Sequence, residues 1–416
     1  MDFITNFILK NPPVLLGLIA MIGLVLQRKS VSEIIKGSLS AAFGMVTLNA
    51  GVNMLVGTIA PINTAVQTEL GVQVTEGLSD VTFTAEYGGT VGLAMFVGLI
   101  IHLLIARFTP VKTIFLTGHM LWWFPFVIVA GGVEAGLRGT SLILFGAVLS
   151  ALYWSFMPWI MRKYVWDVIG DDSFLIGHPT GVLSLISGFV AKRVGNKEKS
   201  TEDLKIPEGL SFFREISITG AIAMFLMNIV VGIIAPVLVP EGGNLVMFSI
   251  DAALSFGAGL LIMLYGVRLL INQIVPAFQG IAEKVVPGAK PAFDVPILFN
   301  YRPNAVIIGF IVGMITSTIV VILANSFNVF GVLLVPLVIT SFFELGGAAV
   351  IGEGQGGLRG SIIGTITASI VMVLLVGISA ALLNTTIQSW ILIFGGNDLS
   401  LWGIIAKFIG NLLGGF

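Results

Sequence analysis

Long apolar runs separated by short polar stretches make up most of the chain. A helix that crosses a bilayer needs about 20 predominantly apolar residues, and eleven runs approach that length. They are 13–27, 38–60, 88–108, 113–131, 140–161, 216–238, 247–270, 304–325, 328–345, 360–384 and 387–412. Irregular composition in 166–190 and 327–357 leaves the count open by one or two. The pattern predicts an all-α polytopic membrane protein with about eleven transmembrane helices, some of them broken or re-entrant.

The amino-acid composition also indicates a membrane protein, and it limits the kinds of binding partner that are expected. Of the 416 residues, 56% are hydrophobic and 10% are charged, with a net charge of −1. So little charge predicts the lipid bilayer as surroundings and excludes nucleic acid as a partner. The first apolar run leads directly into Arg28-Lys29 without a small-residue cleavage site, so no cleavable signal peptide is expected.

The chain contains no cysteine and only three histidines, at positions 102, 119 and 178. Thiol catalysis, disulfide bonds and cysteine-based metal sites are therefore excluded for this chain. We predict neither a metal site nor a cofactor.

Basic residues mark the predicted cytoplasmic side. Arg28-Lys29, Arg107 and Arg162-Lys163 follow the first, third and fifth spans, and the most charged stretch is 191–215. The positive-inside rule places these segments in the cytoplasm. The N-terminus is then expected outside, and 191–215 is predicted to be a cytoplasmic basic loop.

Two segments resemble one another. Gly51 to Pro61 and Gly266 to Pro276 share Gly, Val, Leu, Ile and Pro at the same offsets. The connection after the first copy has no basic residue, whereas basic residues lie within and after the second copy. The same motif on opposite sides of the membrane indicates an inverted-topology repeat, as in alternating-access transporters. We predict one transporter unit over 1–416, with repeat halves of roughly 38–165 and 247–384.

Three titratable residues interrupt apolar segments where the backbone is expected to be irregular. His119 follows Thr117-Gly118, His178 lies in Gly177-His178-Pro179, and Asp294 is followed by Pro296. Ionisable residues at membrane depth are costly and usually functional. We therefore predict that these three form the functional site and that 166–190 contains a re-entrant segment. His102 is expected to be structural, and Glu344 and Glu353 are assigned either to the cavity or to a cytoplasmic loop.

Several motifs resemble the membrane subunit, enzyme IIC, of ascorbate-specific phosphotransferase systems in the ascorbate–galactitol superfamily. They occur in the order of that family along nearly the whole chain. They include Leu116-Thr117-Gly118-His119, Leu152-Tyr153-Trp154, Ile176-Gly177-His178, Gly266-Val267-Arg268, Ala277-Phe278-Gln279-Gly280-Ile281, Pro287-Gly288-Ala289 and Pro303-Asn304-Ala305-Val306.

The resemblance implies a multi-pass homodimer in the bacterial cytoplasmic (inner) membrane, with a substrate-binding core domain and a V-shaped scaffold domain interleaved in sequence. The substrate, L-ascorbate or a related sugar or polyol, would be phosphorylated at the cytoplasmic face by a separate EIIB protein that carries a phosphocysteine. The basic loop would then be either the EIIB dock or an ordinary solvated loop.

Carried over by position, His119, His178 and Asp294 match the family's ligand-contacting residues. Four other positions depart from the family. Trp123 and Pro179 replace glutamines, and Val81-Thr82 replaces a Thr-Tyr pair. The pocket is therefore expected to offer fewer hydrogen-bonding side chains, and each unmatched buried polar group costs roughly 1–3 kcal/mol.

The predicted mechanism uses Asp294 and His178 to orient and deprotonate a substrate hydroxyl, while His119 binds from the opposite wall. Two alternatives stay open at this point. One is an ion-coupled secondary transporter of a small polar solute, in which the same residues form a proton relay. The other is an EIIC subunit for a different pentose or polyol.

Overall fold

The structure is a computed structural model that describes residues 11–69, 78–204, 212, 215–284 and 286–414. Helices make up most of this part of the chain. They are α1 (Pro12–Leu26), α2 (Val31–Glu69), α3 (Asp80–Phe108), α4 (Met120–Glu134), α5 (Gly139–Ile169), α6 (Gly181–Val194), α7 (Ile216–Ile234), α8 (Leu245–Lys284), α9 (Pro296–Phe299), α10 (Pro303–Ser326), α11 (Val338–Leu382), α12 (Gln388–Phe394) and α13 (Asp398–Gly414).

Seven of the described helices are long and apolar enough to cross a membrane, and two shorter apolar helices accompany them. The spanning segments are 31–62, 82–108, 139–169, 217–234, 245–266, 303–326 and 338–382. The prediction of an all-α polytopic membrane protein is confirmed. The number eleven is not, because several predicted spans are not single helices.

Three predicted spans differ from the structure in an informative way. The segment 113–131 begins as a strand and becomes the short helix α4. The segment 328–345 starts in turns and enters α11 only at Val338. The segment 387–412 divides into α12 and α13 around Gly395-Gly396, where Gly396 has a φ of +91°. Apolar composition alone does not reveal these breaks.

Helix α11 is itself two helices joined at a kink. Gly356 and Gly357 have non-helical backbone angles, and Gly357 has a φ of +61°, a region that favours glycine. A Cβ at Gly357 would also lie 2.2 Å from the carbonyl oxygen of Asn196. The kink therefore depends on glycine both for its dihedral angles and for its contact with the loop after α6.

Helices α2 and α8 cross at the two glycines of the repeated motif. A Cβ at Gly51 would lie 2.3 Å from the backbone nitrogen of Met263, and a Cβ at Gly266 would lie 2.3 Å from that of Leu48. Met263 lies three residues before Gly266, and Leu48 lies three residues before Gly51, so the two helices contact each other at equivalent positions of the motif. Helix α1 packs against both α2 and α8, and α7 packs against α8.

The other long helices form a second group. Helix α3 packs against α5, α4 against α13, and α11 against both α6 and α10. The interior of this group is aromatic and apolar, and it includes the fully buried Phe124, Tyr153 and Trp154.

A small parallel sheet lies among these helices. Its strands are β1 (Thr113–Phe115), β2 (Leu175–Ile176) and β3 (Lys290–Phe293), in the order β1-β3-β2. Strands β1 and β2 are buried throughout. Burial inside protein is what makes a non-helical backbone tolerable at membrane depth, and the sheet pairs its polar backbone groups.

Candidate functional site

The three predicted site residues follow the three strands of the sheet. His119 comes four residues after β1, His178 two residues after β2, and Asp294 directly after β3. The strands are parallel and in close register, with Ile176 opposite Phe293. Their carboxyl ends therefore meet at one edge, and the residues that follow are brought together there.

The side chains are close enough to interact directly. His178 Nδ1 lies 2.5 Å from Asp294 Oδ1, and His119 Nδ1 lies 3.8 Å from Asp294 Oδ2. Asp294 Oδ1 also accepts a hydrogen bond of 2.9 Å from the backbone N–H of Val295. Asp294 thus lies between the two imidazoles and holds the His178 ring in place, as a carboxylate orients a catalytic histidine.

The other nitrogen of His178 faces a second carboxyl group. His178 Nε2 lies 3.5 Å from Glu344 Oε1, which accepts a 2.7 Å hydrogen bond from Asn397 Nδ2. Neither His178 Nε2 nor Glu344 Oε2 has a hydrogen-bond partner, although both atoms are buried. Buried polar atoms without partners are costly in a folded protein, so these two are the natural contacts for a polar ligand.

A cavity of about 280 Å³ opens beside these residues, a size suited to a small solute. It lies between the two groups of helices, since α2 and α8 contribute to its wall as well as α4, α11, α12 and α13. Besides the titratable groups, its lining includes Asn49, Asn53, Met120, Trp123, Met263, Thr340, Phe343, Trp390, Phe394 and Asn397.

Aromatic rings form much of the cavity wall. Trp123 stacks on Trp390, with ring centroids 4.9 Å apart and an interplanar angle of 28°. Phe126 packs edge-on against both indoles. Flat apolar faces of this kind bind the C–H faces of sugars, while the polar groups opposite bind hydroxyls.

A buried hydrogen-bond network positions the helix that follows His178. Asp398 accepts hydrogen bonds from the backbone N–H groups of Gly181 and Val182 and from the Tyr153 hydroxyl, at 2.9, 2.7 and 2.7 Å. Asp398 is fully buried. It caps the N-terminus of α6 from another helix, and so fixes the turn that carries His178.

The remaining predicted residues lie in different places. Trp123 lines the cavity, whereas Pro179 does not. The carbonyl oxygen of Pro179 accepts a hydrogen bond from the backbone N–H of Asp398. The exposed Thr82 pairs with Ser79 in a capping box at the start of α3, away from the cavity lining. The side chain of Val81 is outside the part of the chain that the structure describes.

The two glutamates that the sequence left open, and His102, which was expected to be structural, are placed as follows. Glu344 lines the cavity, whereas Glu353 is paired with Arg302 at 2.7 Å and accepts from Ser200. His102 is structural: its Nδ1 contacts Ser155 Oγ at 2.8 Å, and its Nε2 accepts from the backbone N–H of Phe115 at 3.1 Å.

His119, His178 and Asp294 are also residue types that bind metals, and their ligand atoms lie within 4.8 Å of one another. The hydrogen bond between His178 and Asp294 already uses two of those atoms. The prediction of a site without metal stays a prediction.

Sequence reasoning missed Asn397 and Asp398. They lie within an apparently continuous apolar run, and the available signal was Gly395-Gly396, which breaks the run just before an Asn-Asp pair typical of helix starts.

Broken helices and non-helical segments that converge on a cavity lined by titratable and aromatic side chains, inside a bundle of spanning helices, define the class of polytopic membrane transporters. Comparison with known proteins makes the assignment specific. The family model EIIC-GAT, the PTS system sugar-specific permease component, matches residues 7–398. The chain belongs to this family.

One relative is the ascorbate-specific PTS system EIIC component of Mycoplasma pneumoniae. It is 26% identical over 427 aligned positions, which include 87% of this chain. The chain spans about 63% of that relative's length.

Proposed function

We propose that this protein binds L-ascorbate or a related sugar or polyol from outside and presents it for phosphorylation by a separate EIIB protein. The observation that carries the proposal is the cavity itself. A hydrogen-bonded His178–Asp294 pair, with His119 beside it, faces a space of about 280 Å³ walled by stacked indoles. This combination suits a small hydroxylated substrate that must be both held and deprotonated.

The proposed chemical step is transfer of a phosphoryl group to a substrate hydroxyl. The hydroxyl oxygen attacks the phosphorus of the EIIB phosphocysteine, the P–S bond breaks, and the cysteine leaves as a thiolate. The hydroxyl proton passes to the His178–Asp294 pair. Asp294 Oδ1 accepts hydrogen bonds from His178 Nδ1 and from the backbone N–H of Val295, and these bonds fix the carboxylate. His119 lies 3.8 Å from Asp294 Oδ2, so it binds the substrate from the same side of the cavity and not from the opposite wall. The sequence has no cysteine, and in this proposal EIIB supplies the phosphocysteine.

The proposed transport cycle is alternating access by rigid-body movement of the core domain against the scaffold domain. In this proposal α1, α2, α7 and α8 form the scaffold of a homodimer, and the other long helices form the substrate-binding core. The symmetric crossing at Gly51 and Gly266 supports a pseudo-two-fold relation between the halves. The cavity lies where the two groups of helices meet, so a rigid-body movement of one group would open it to either side.

We further propose that the basic segment 191–215 receives EIIB; its residues 205–211, 213 and 214 lie outside the described part of the chain. Lys192 and Arg193 in the last turn of α6, and Lys197 and Lys199 in the loop after it, are exposed, so their charge can attract an acidic partner surface. The loop is also joined to α11, because Asn196 N–H donates to Gly356 O and Leu358 N–H donates to Lys199 O. A partner bound here would contact the kink of the helix that carries Glu344.

Uptake into vesicles tests this function. The vesicles would contain the protein, its cognate EIIB and the general phosphotransfer proteins, with labelled L-ascorbate or a candidate polyol outside. Accumulation of a phosphorylated product that requires phosphoenolpyruvate is expected. Accumulation of unmodified solute that responds to an uncoupler, and not to phosphoenolpyruvate, would instead support an ion-coupled secondary transporter.

A further inference from the structure

Glu344 brings a second carboxyl group to the cavity and leaves one of its oxygens without a partner. The side chain is 5% exposed, its Oε1 is held by Asn397, and its Oε2 has no hydrogen-bond partner. A carboxylate oxygen only accepts hydrogen bonds. The atom that would complete this arrangement is therefore a donor, such as a substrate hydroxyl.

The charges in the cavity disfavour an acidic substrate. Asp294 and Glu344 both line it, and none of the described residues in its lining is Lys or Arg. The imidazoles of His119 and His178 are the only side chains of that lining able to become cationic; Nδ1 of each faces Asp294, and Nε2 of His178 faces Glu344. A negative charge on the substrate would lie near two carboxyl groups in a poorly screened interior, where like charges repel strongly.

The helix N-termini near the cavity do not offset this charge. A helix N-terminus binds anions through backbone N–H groups without partners. At α6 the N–H groups of Gly181 and Val182 already donate to Asp398. At α4 the N–H of Met120 donates to Thr117 O, and at α13 the N–H of Leu399 donates to the Asn397 side chain.

We propose that Glu344, held by Asn397, is a specificity-determining residue that adapts the site to a neutral, hydroxyl-rich substrate such as a sugar alcohol, in preference to a sugar acid such as L-ascorbate. The inference rests on the proposed function, because it assumes that this cavity is the sugar site. Glu344 accepts a substrate hydroxyl through Oε2 and excludes carboxylates and enolates by its charge. Asn397 fixes its orientation.

Binding measurements on the full-length protein in lipid nanodiscs test the inference. The ligands are L-ascorbate, a panel of pentitols and hexitols, and the pair xylitol and D-xylonate, which differ only in one terminal group. We expect at least one neutral polyol to bind about tenfold more tightly than its matched acid or L-ascorbate, which corresponds to about 1.4 kcal/mol.

The substitution Glu344→Gln retains the shape of the side chain and removes its charge. It should reduce the preference for the neutral ligand about tenfold, mainly because acids bind more tightly to the variant. Asn397→Ala should weaken binding of the polyol. The matched control is Glu353→Gln, a buried glutamate nine residues along α11 that does not line the cavity; it should leave the preference unchanged.

The outcomes separate this inference from the proposed function. The inference is overturned if L-ascorbate binds the wild-type protein at least as tightly as every polyol of the panel. It is also overturned if Glu344→Gln leaves the preference for the neutral ligand unchanged. A phosphoenolpyruvate-dependent product would still support the proposed function in that case. Absence of binding by both ligand classes, with no phosphorylated product from either, would contradict both.

Discussion

His178 and Asp294 are 116 positions apart in sequence, and Nδ1 of the first lies 2.5 Å from Oδ1 of the second. The contact exists because each residue follows one of two neighbouring parallel strands that end in register. A sheet of this kind is a rigid support, and it places the pair more accurately than loops alone would. The proposed chemistry depends on this pair.

The two histidines should respond differently to substitution. His178 contacts Asp294 at 2.5 Å, whereas His119 lies 3.8 Å from it, on the other side of the carboxylate. We expect His119→Gln to raise KM about tenfold with kcat changed only a few-fold, since it removes a binding contact. His178→Gln should lower kcat by about 10²-fold or more. Steady-state phosphorylation with purified EIIB separates the two effects, and equal kcat losses in both variants would contradict the assigned roles.

The stacked indoles should contribute to substrate affinity. Trp123 occupies a position where the family has a glutamine, and it stacks on Trp390 in the cavity wall. Trp123→Ala should weaken substrate binding about tenfold, because both the stacking and the apolar face are lost. Trp123→Phe retains an aromatic face and should lose less. Calorimetric titration provides the measurement, and unchanged affinity in the alanine variant would remove Trp123 from the binding wall.

The crossing of α2 and α8 should not tolerate a methyl group. A Cβ at Gly51 or Gly266 would lie 2.3 Å from a backbone nitrogen of the other helix. Overpacking of this kind usually costs about 1–3 kcal/mol, so Gly51→Ala and Gly266→Ala should each lower the thermal unfolding temperature. Gly57 is the matched control, since it lies on the same helix with nothing within 4 Å of its added Cβ.

Alanine has the higher helix propensity, so Gly57→Ala should be neutral or slightly stabilising. Equal effects at Gly51 and Gly57 would show that the helices do not approach as closely as described.

Asp398 should be required for stability although it does not line the cavity. Asp398→Ala leaves the N–H groups of Gly181 and Val182 without their partner, and each unpaired buried group costs about 1–3 kcal/mol. Tyr153→Phe removes only one bond to the same carboxylate and should cost about 1 kcal/mol. Thermal unfolding in detergent should rank wild type, Tyr153→Phe and Asp398→Ala in that order. The reverse order would contradict the capping role.

The sequence singled out three candidate site residues because they interrupt apolar segments close to glycine or proline. His119, His178 and Asp294 are conspicuous for that reason, and the structure brings them together. The sheet that does so was not predicted, because strands of two to four residues are too short to show a period-two pattern.

The misassigned spans have a common physical cause. Apolar residues are required both for helices that face lipid and for short buried segments, and composition does not separate the two. For this reason 113–131 and 387–412 were predicted as single helices, although each contains a break. Asn397 and Asp398 were missed with the second of them, and so was the link between Glu344 and His178.

The most direct test of the account is the substitution Asp294→Asn in the reconstituted vesicle system. Asparagine retains the shape of the side chain but cannot take the hydroxyl proton or hold an imidazolium, so phosphorylated product should form about 10²–10⁴-fold more slowly. The control is Asp172→Asn, an exposed aspartate that pairs with Lys290; it should remain near the wild-type rate. A wild-type rate in Asp294→Asn would contradict the central claim that this carboxylate and His178 carry the proton transfer.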